Sequence, residues 1–138
     1  MELGNIMDHY LLTSLATLLA AFVLFFAMVN VGKARGKYEV QVPSTDGPEG
    51  FLRAFRAHAN TVEQAVMFLP AMWVLALVVD DMYAGIIGII WAASRVLFIS
   101  SYSAEAKKRG PWFMTGFLCF VVTFLWALGA VIMKLLDI

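Results

Sequence analysis

At 138 residues the chain is long enough for one domain and too short for two. Its composition is 62% hydrophobic and 14% charged, against roughly 45–50% and about 25% in a soluble domain, and the mean hydropathy is +0.81. A soluble domain of this size buries only about two-thirds of what its unfolded chain exposes, so the apolar excess faces lipid or many partners, and lipid is the simpler answer.

Tyr10 to Val31 runs without a single Lys, Arg, Asp or Glu. As a helix it spans about 33 Å, against a hydrocarbon core of roughly 30 Å. A cleaved leader begins with positive charge and ends at small residues. Here Glu2 and Asp8 lead and the basic residues follow, which predicts a retained span. The next stretch, "KARGKYEVQVPSTDGPEG", contains the turn formers Pro43, Gly47, Pro48 and Gly50 and reads as an irregular loop.

Ala65 to Val79 and Met82 to Ser94 are apolar, but each falls short of the roughly 20 residues that a span needs. They reach span length when Glu63 and Arg95 are admitted into the helices, with Asp80-Asp81 as a tight turn between them; short re-entrant pieces are the alternative. Pro111 to Met133 is again free of charge throughout, with proline at a natural first-turn position. The single cysteine, Cys119, lies within it, excludes an internal disulfide and reads as a small buried or lipid-facing side chain. The two histidines, His9 and His58, belong to no zinc motif, and no glycine-rich phosphate loop is present. No metal site is expected.

These segments predict an all-α integral membrane protein. It is one transmembrane domain over 1–138, with helices at about 9–31, 54–79, 82–102 and 111–134, and loops at about 32–53 and 103–110. Ten Lys/Arg balance ten Asp/Glu, so no general attraction to nucleic acid is expected. The distribution of charge carries more. Lys33, Arg35, Lys37, Arg53, Arg56, Lys107, Lys108 and Arg109 all fall on one side of a four-span chain. Glu2, Asp8, Asp80, Asp81 and Asp137 fall on the other, with Lys134. The positive-inside rule then places both termini on the non-cytoplasmic side and the two basic loops in the cytoplasm.

Arg53, Arg56, Asn60 and Glu63 fall within about 80° of one another on a helix, a polar stripe entering the membrane. On the third helix Arg95 and Tyr102, seven apart, are nearly eclipsed, with Phe98 between them. An intramembrane arginine costs at least about 2.5–3.5 kcal/mol, so Arg95 is expected to be structural and to need a partner. Glu63, the acidic residue at comparable depth, is the expected one. Two basic loops and two polar helix faces meeting at one end predict a cationic pocket. Arginine forks suit a ligand with more than one carboxylate.

The stretch "RAFRAHANTVE" resembles the second-helix signature of the membrane-associated proteins in eicosanoid and glutathione metabolism, the MAPEG family of microsomal glutathione transferases and leukotriene C4 synthase. The likeness extends to length, four spans, a long first loop and the Arg…Tyr pair of helix three. It implies a homotrimeric four-helix bundle with glutathione held between subunits near the cytoplasmic face. By matching position, Arg53 and Arg56 would hold glutathione carboxylates, and Asn60 and Glu63 the peptide and amine. Tyr102 is a further contact, and Lys33 or Arg35 a further cation. Arg109 is the match for the arginine that faces the thiol, with Lys107 and Lys108 as the alternative cations there. The implied activity is a glutathione transferase, or peroxidase, acting on small hydrophobic electrophiles that enter from the bilayer. Phe98 departs from the eicosanoid enzymes, which carry a polar ring there, and so does Gln64 where an aromatic sometimes stands. Both departures favour a general transferase, or a member using another thiol, over a lipid-mediator synthase. A non-catalytic membrane scaffold or glutathione-binding modulator is the alternative, and a small transporter the third.

Overall fold

Four long helices carry the chain in the computed structural model, which describes residues 5, 6 and 8–138. They are α1 (Leu11–Tyr38), α2 (Glu49–Val78), α3 (Asp81–Ala104) and α4 (Gly110–Leu135). A 3-10 turn at Asp8–Tyr10 precedes α1, and another at Ala106–Arg109 precedes α4. Each helix, counted with its turn where it has one, is long and apolar enough to cross a membrane. Glu2, one of the acidic residues used in the charge argument, lies outside the described residues.

The helices alternate in direction. One end of the bundle holds the α2–α3 turn, and the other holds the α1–α2 and α3–α4 connections, called here the loop end. α2 and α3 form the central pair, each packing on the other and on both flanking helices, whereas α1 and α4 touch only marginally. Close approach of α1 to α3 depends on small residues, as it must where lipid supplies no hydrophobic drive between helices. α1 turns Thr13, Ala16, Ala20, Val23 and Ala27 inward, at steps of three and four. Opposite them, a Cβ on Gly85 would collide with Leu12, and one on Gly88 with Ala16 and the Met72 sulfur. The outward faces of α1 and α4 expose Leu18, Phe22, Phe25, Leu118 and Leu125, side chains that only an apolar environment accommodates.

At the α2–α3 turn the two aspartates do more than separate helices. Asp80 accepts a 2.7 Å hydrogen bond from the Met82 amide and caps its own helix. Asp81 reaches across the bundle and accepts from the Leu12 and Thr13 amides at 3.0 and 2.8 Å. It thus caps α1, whose own cap residue, Tyr10, contributes no side-chain bond. A carboxylate at these free N–H groups also complements the positive end of the helix dipole.

At the loop end the helices run further than the uncharged stretches indicate. α1 continues past Val31 to Tyr38, and α2 begins at Glu49 behind Pro48, leaving 39–48 as the connection. No proline interrupts Gly32 to Tyr38, and Arg35 and Lys37 suit the last turn of a helix. The extension is anchored by a second small core of Ala34, Val40, Phe51 and Ala54. Much of the basic charge is therefore carried on helix ends rather than on irregular loop.

Candidate functional site

A cleft of about 430 Å³ opens between α2, α3 and α4 at the loop end, a size that suits a small organic ligand. α2 contributes Arg56, Ala59, Asn60 and Glu63 at the three-and-four spacing of one helix face. α3 contributes Phe98 and Tyr102, the turn before α4 contributes Arg109, and α4 contributes Phe113. The lining is thus two guanidinium groups, one carboxylate and one amide over three aromatic rings.

Helix-three geometry arranges the floor. The Arg95 guanidinium carbon lies 4.0 Å from the Phe98 ring centroid, Phe98 packs on Tyr102 at 5.6 Å, and the Arg109 guanidinium lies 4.9 Å from the Tyr102 centroid. A ladder of cation, ring, ring, cation therefore runs from the interior to the mouth of the cleft. Stacking on Tyr102 orients Arg109 towards the cleft. Lys108 instead pairs with Glu105 at 3.4 Å, and neither Lys107 nor Lys108 lines the cleft. The ladder follows the i, i+3, i+7 spacing visible in the sequence as Arg95, Phe98 and Tyr102.

Arg95 is fully buried, as its position requires, but its partner differs from the expected one. Nη2 donates to Asn60 Oδ1 at 2.7 Å and to Thr61 Oγ1 at 2.8 Å. Glu63 forms no ion pair with it among the described residues. The antiparallel register explains the correction. Along the helix axis Arg95 lies about 13 Å from the end of α3 at Ala104, and Asn60 about 16 Å from the start of α2 at Glu49. Glu63 sits almost a turn deeper, on the face that opens into the cleft. Charge-assisted bonds from Nη2 to two neutral oxygens, with the Phe98 ring against the guanidinium, hold one side of the arginine without an acid, while Nε and Nη1 have no partner among the described residues.

Three other expected site residues lie elsewhere. Arg53 Nη1 binds Glu49 at 3.0 Å, while its Nε approaches the Ser103 carbonyl at 3.5 Å. It stands at one edge of the polar stripe, where Glu49 one turn earlier captures it. Arg35 donates to the Ser44 carbonyl at 2.8 Å and rests over Phe51, tying the first loop to α1. Lys33 lines a separate cleft of about 160 Å³ with Lys37, Tyr38 and Ser103. Within the chain the structure therefore gathers Arg56, Asn60, Glu63, Tyr102 and Arg109 at this cleft, and places Arg53, Arg35 and Lys33 outside it. Two neighbours of the site are not among the residues expected from sequence. Phe113 is detectable as the aromatic one turn after Arg109, and Thr61 only through the helix register. Among the described residues no group of His, Cys, Asp and Glu clusters as metal ligands do.

The same helix faces run on beyond the cleft. Steps of three and four carry α2 from Glu63 to Met67, Pro70, Ala71 and Val74, and two turns carry α4 from Phe113 to Phe120. There they line an apolar groove of about 440 Å³ with Phe124, Ala127, Leu128 and Val131. Pro70 is accommodated within an unbroken α2. A charged cleft and an apolar groove on the same pair of helices suit one polar and one apolar molecule.

Comparison with known proteins gives this arrangement a family. The chain is 38% identical over 126 residues to microsomal glutathione S-transferase 2 of Bos taurus, covering 90% of this chain and 83% of that one. It is 37% identical over 122 residues to an uncharacterised protein of Synechocystis sp., covering 88% and 89%. Leukotriene C4 synthase of Bos taurus is 28% identical over 123 residues, covering 88% and 82%. The profile of the MAPEG family matches residues 13–129. With four membrane-length helices and that match over most of its length, the chain is an integral membrane protein and belongs to the MAPEG family.

Proposed function

We propose that the protein is a glutathione-dependent transferase that activates the thiol of glutathione for attack on hydrophobic electrophiles. The observation that carries this reading is the cleft itself: two arginines and one carboxylate around aromatic walls, with an apolar groove on the same two helices. Glutathione offers two carboxylates, one ammonium and a thiol. Arg56 binds a carboxylate, Glu63 the ammonium, Asn60 the peptide region, and Tyr102 frames the floor. Relatives named as glutathione S-transferase and leukotriene C4 synthase support the same ligand.

We assign the sulfur to Arg109, which lines the same cleft. A free thiol of pKa about 8.5 is mostly protonated at neutral pH. A guanidinium has no acceptor and takes no proton, so the thiol proton leaves to water while the positive charge stabilises the thiolate. The thiolate pair then forms a carbon–sulfur bond at the electrophile, which loses its leaving group or accepts a proton. The groove supplies orientation, the rest of the advantage over solution. We place this reaction in a homotrimer, with the loop end cytoplasmic and both termini on the opposite side, following the segregation of basic residues.

The test is binding before turnover. Glutathione titrated into the detergent-solubilised protein at pH 7 is expected to produce a saturable ultraviolet thiolate signal. Binding without thiolate would favour a non-catalytic glutathione modulator. No binding would contradict the assignment.

A further inference from the structure

The contact between Arg95 and Asn60 fixes more than the packing of α2 on α3. A guanidinium carries only N–H donors, so the Asn60 atom touching Arg95 Nη2 at 2.7 Å must be the carbonyl oxygen. The amide nitrogen then points away from Arg95. Asn60 lines the cleft, and its Nδ2 donates to no side chain or backbone group among the described residues. Arg95 itself is fully buried against the Phe98 ring, shares Nη2 with Thr61 and does not line the cleft.

We infer that Arg95 is a positioning residue that locks Asn60 with its two N–H donors towards the cleft, so that this part of the site accepts a ligand oxygen and rejects an ammonium. The inference rests on the reading of the cleft as a glutathione site and sharpens it. Asn60 takes a carboxylate or peptide carbonyl, and the ammonium is left to Glu63, the acidic side chain that lines the same cleft. Polarity at Asn60 is thus decided from the buried side of α2, by a residue that never meets the ligand. Replacing Arg95 frees the amide to rotate and lets the site accept either group, less well.

Direction of change is the test. Asn60→Asp keeps an oxygen on Arg95 but replaces the donors by an acceptor, so glutathione should bind about tenfold more weakly or worse, with an unchanged or higher melting temperature in detergent. Arg95→Met should also weaken glutathione binding, and Arg95→Lys, which restores a donor, should recover part of the loss. Should Asn60→Asp prove poorly folded, Asn60→Ala decides with two ligands. Glutathione and its des-amino analogue should lose affinity by the same factor, because the amine is held elsewhere. Equal or tighter glutathione binding by Asn60→Asp, or an Asn60→Ala loss confined to the amine-bearing ligand, overturns the inference alone. Failure of the wild-type protein to bind glutathione overturns both it and the proposed function.

Discussion

The two ends of this bundle use charge differently. At the α2–α3 turn, Asp80 and Asp81 are each satisfied within the chain, one capping α3 and the other capping α1 from the far end of the intervening sequence. At the loop end the cations divide. Arg53 and Lys108 have carboxylate partners, and Arg35 has a carbonyl and a ring. Arg56 and Arg109 have no carboxylate within ion-pair distance among the described residues, and both line the cleft. A charge with an internal partner builds the fold; a charge left facing a cleft is available to a ligand. Proximity to a mouth of the bundle does not distinguish the two, since Arg53 and Arg56 are neighbours on one helix.

Each side of that comparison can be broken separately. The largest effect is expected from overfilling the α1–α3 contact: Gly85→Leu forces a side chain into Leu12, at a cost of about 3 kcal/mol or more, and should abolish the monodisperse species in size-exclusion chromatography. Arg56→Ala should leave that species intact and weaken glutathione binding by about 10- to 100-fold in calorimetry, the worth of a charge-assisted contact. Asp81→Ala tests the opposite end. Losing two amide partners should lower stability by about 1–3 kcal/mol, read as a lower melting temperature, with glutathione affinity unchanged. The smallest effect is expected at Arg53, whose partner Glu49 is largely exposed. Loss of such a pair is worth about 0.3–0.5 kcal/mol, so Arg53→Ala should shift stability by no more than that in thermal unfolding.

How much of this is legible in the sequence depends on which physical signal each feature leaves in one dimension. Uninterrupted apolar runs mark α1 and α4, because the bilayer demands a fixed length of them. α2 and α3 are legible only once Glu63 and Arg95 are allowed inside, since polar groups within a span mimic its boundary. The helix extensions at the loop end stay hidden because basic residues read as loop once they leave the membrane, although nothing in Gly32 to Tyr38 stops a helix. Of the site, the three-and-four spacing correctly groups Arg56, Asn60 and Glu63 on one face, and the seven-residue spacing groups Arg95 with Tyr102. What spacing along one helix cannot supply is register between helices. Sequence alone therefore matches Arg95 to Glu63, the nearest acid, whereas the antiparallel packing sets it level with Asn60 and Thr61. The double role of Asp80-Asp81 is hidden for the same reason: a turn is local, but the helix that Asp81 caps is the first of the chain, starting at Leu11.

In the proposed reaction the Arg109 guanidinium at the mouth of the cleft turns a bound thiol into a nucleophile. The most direct test of that step is the ultraviolet thiolate signal of glutathione titrated into the purified protein at pH 7, wild type beside Arg109→Ala. The expected result is a saturable signal in the wild type that falls by about tenfold or more in the variant, a rise of at least about one pKa unit in the bound thiol, while glutathione still binds. An equal thiolate signal from both proteins would contradict the role given to Arg109 and move the activating charge elsewhere in the cleft.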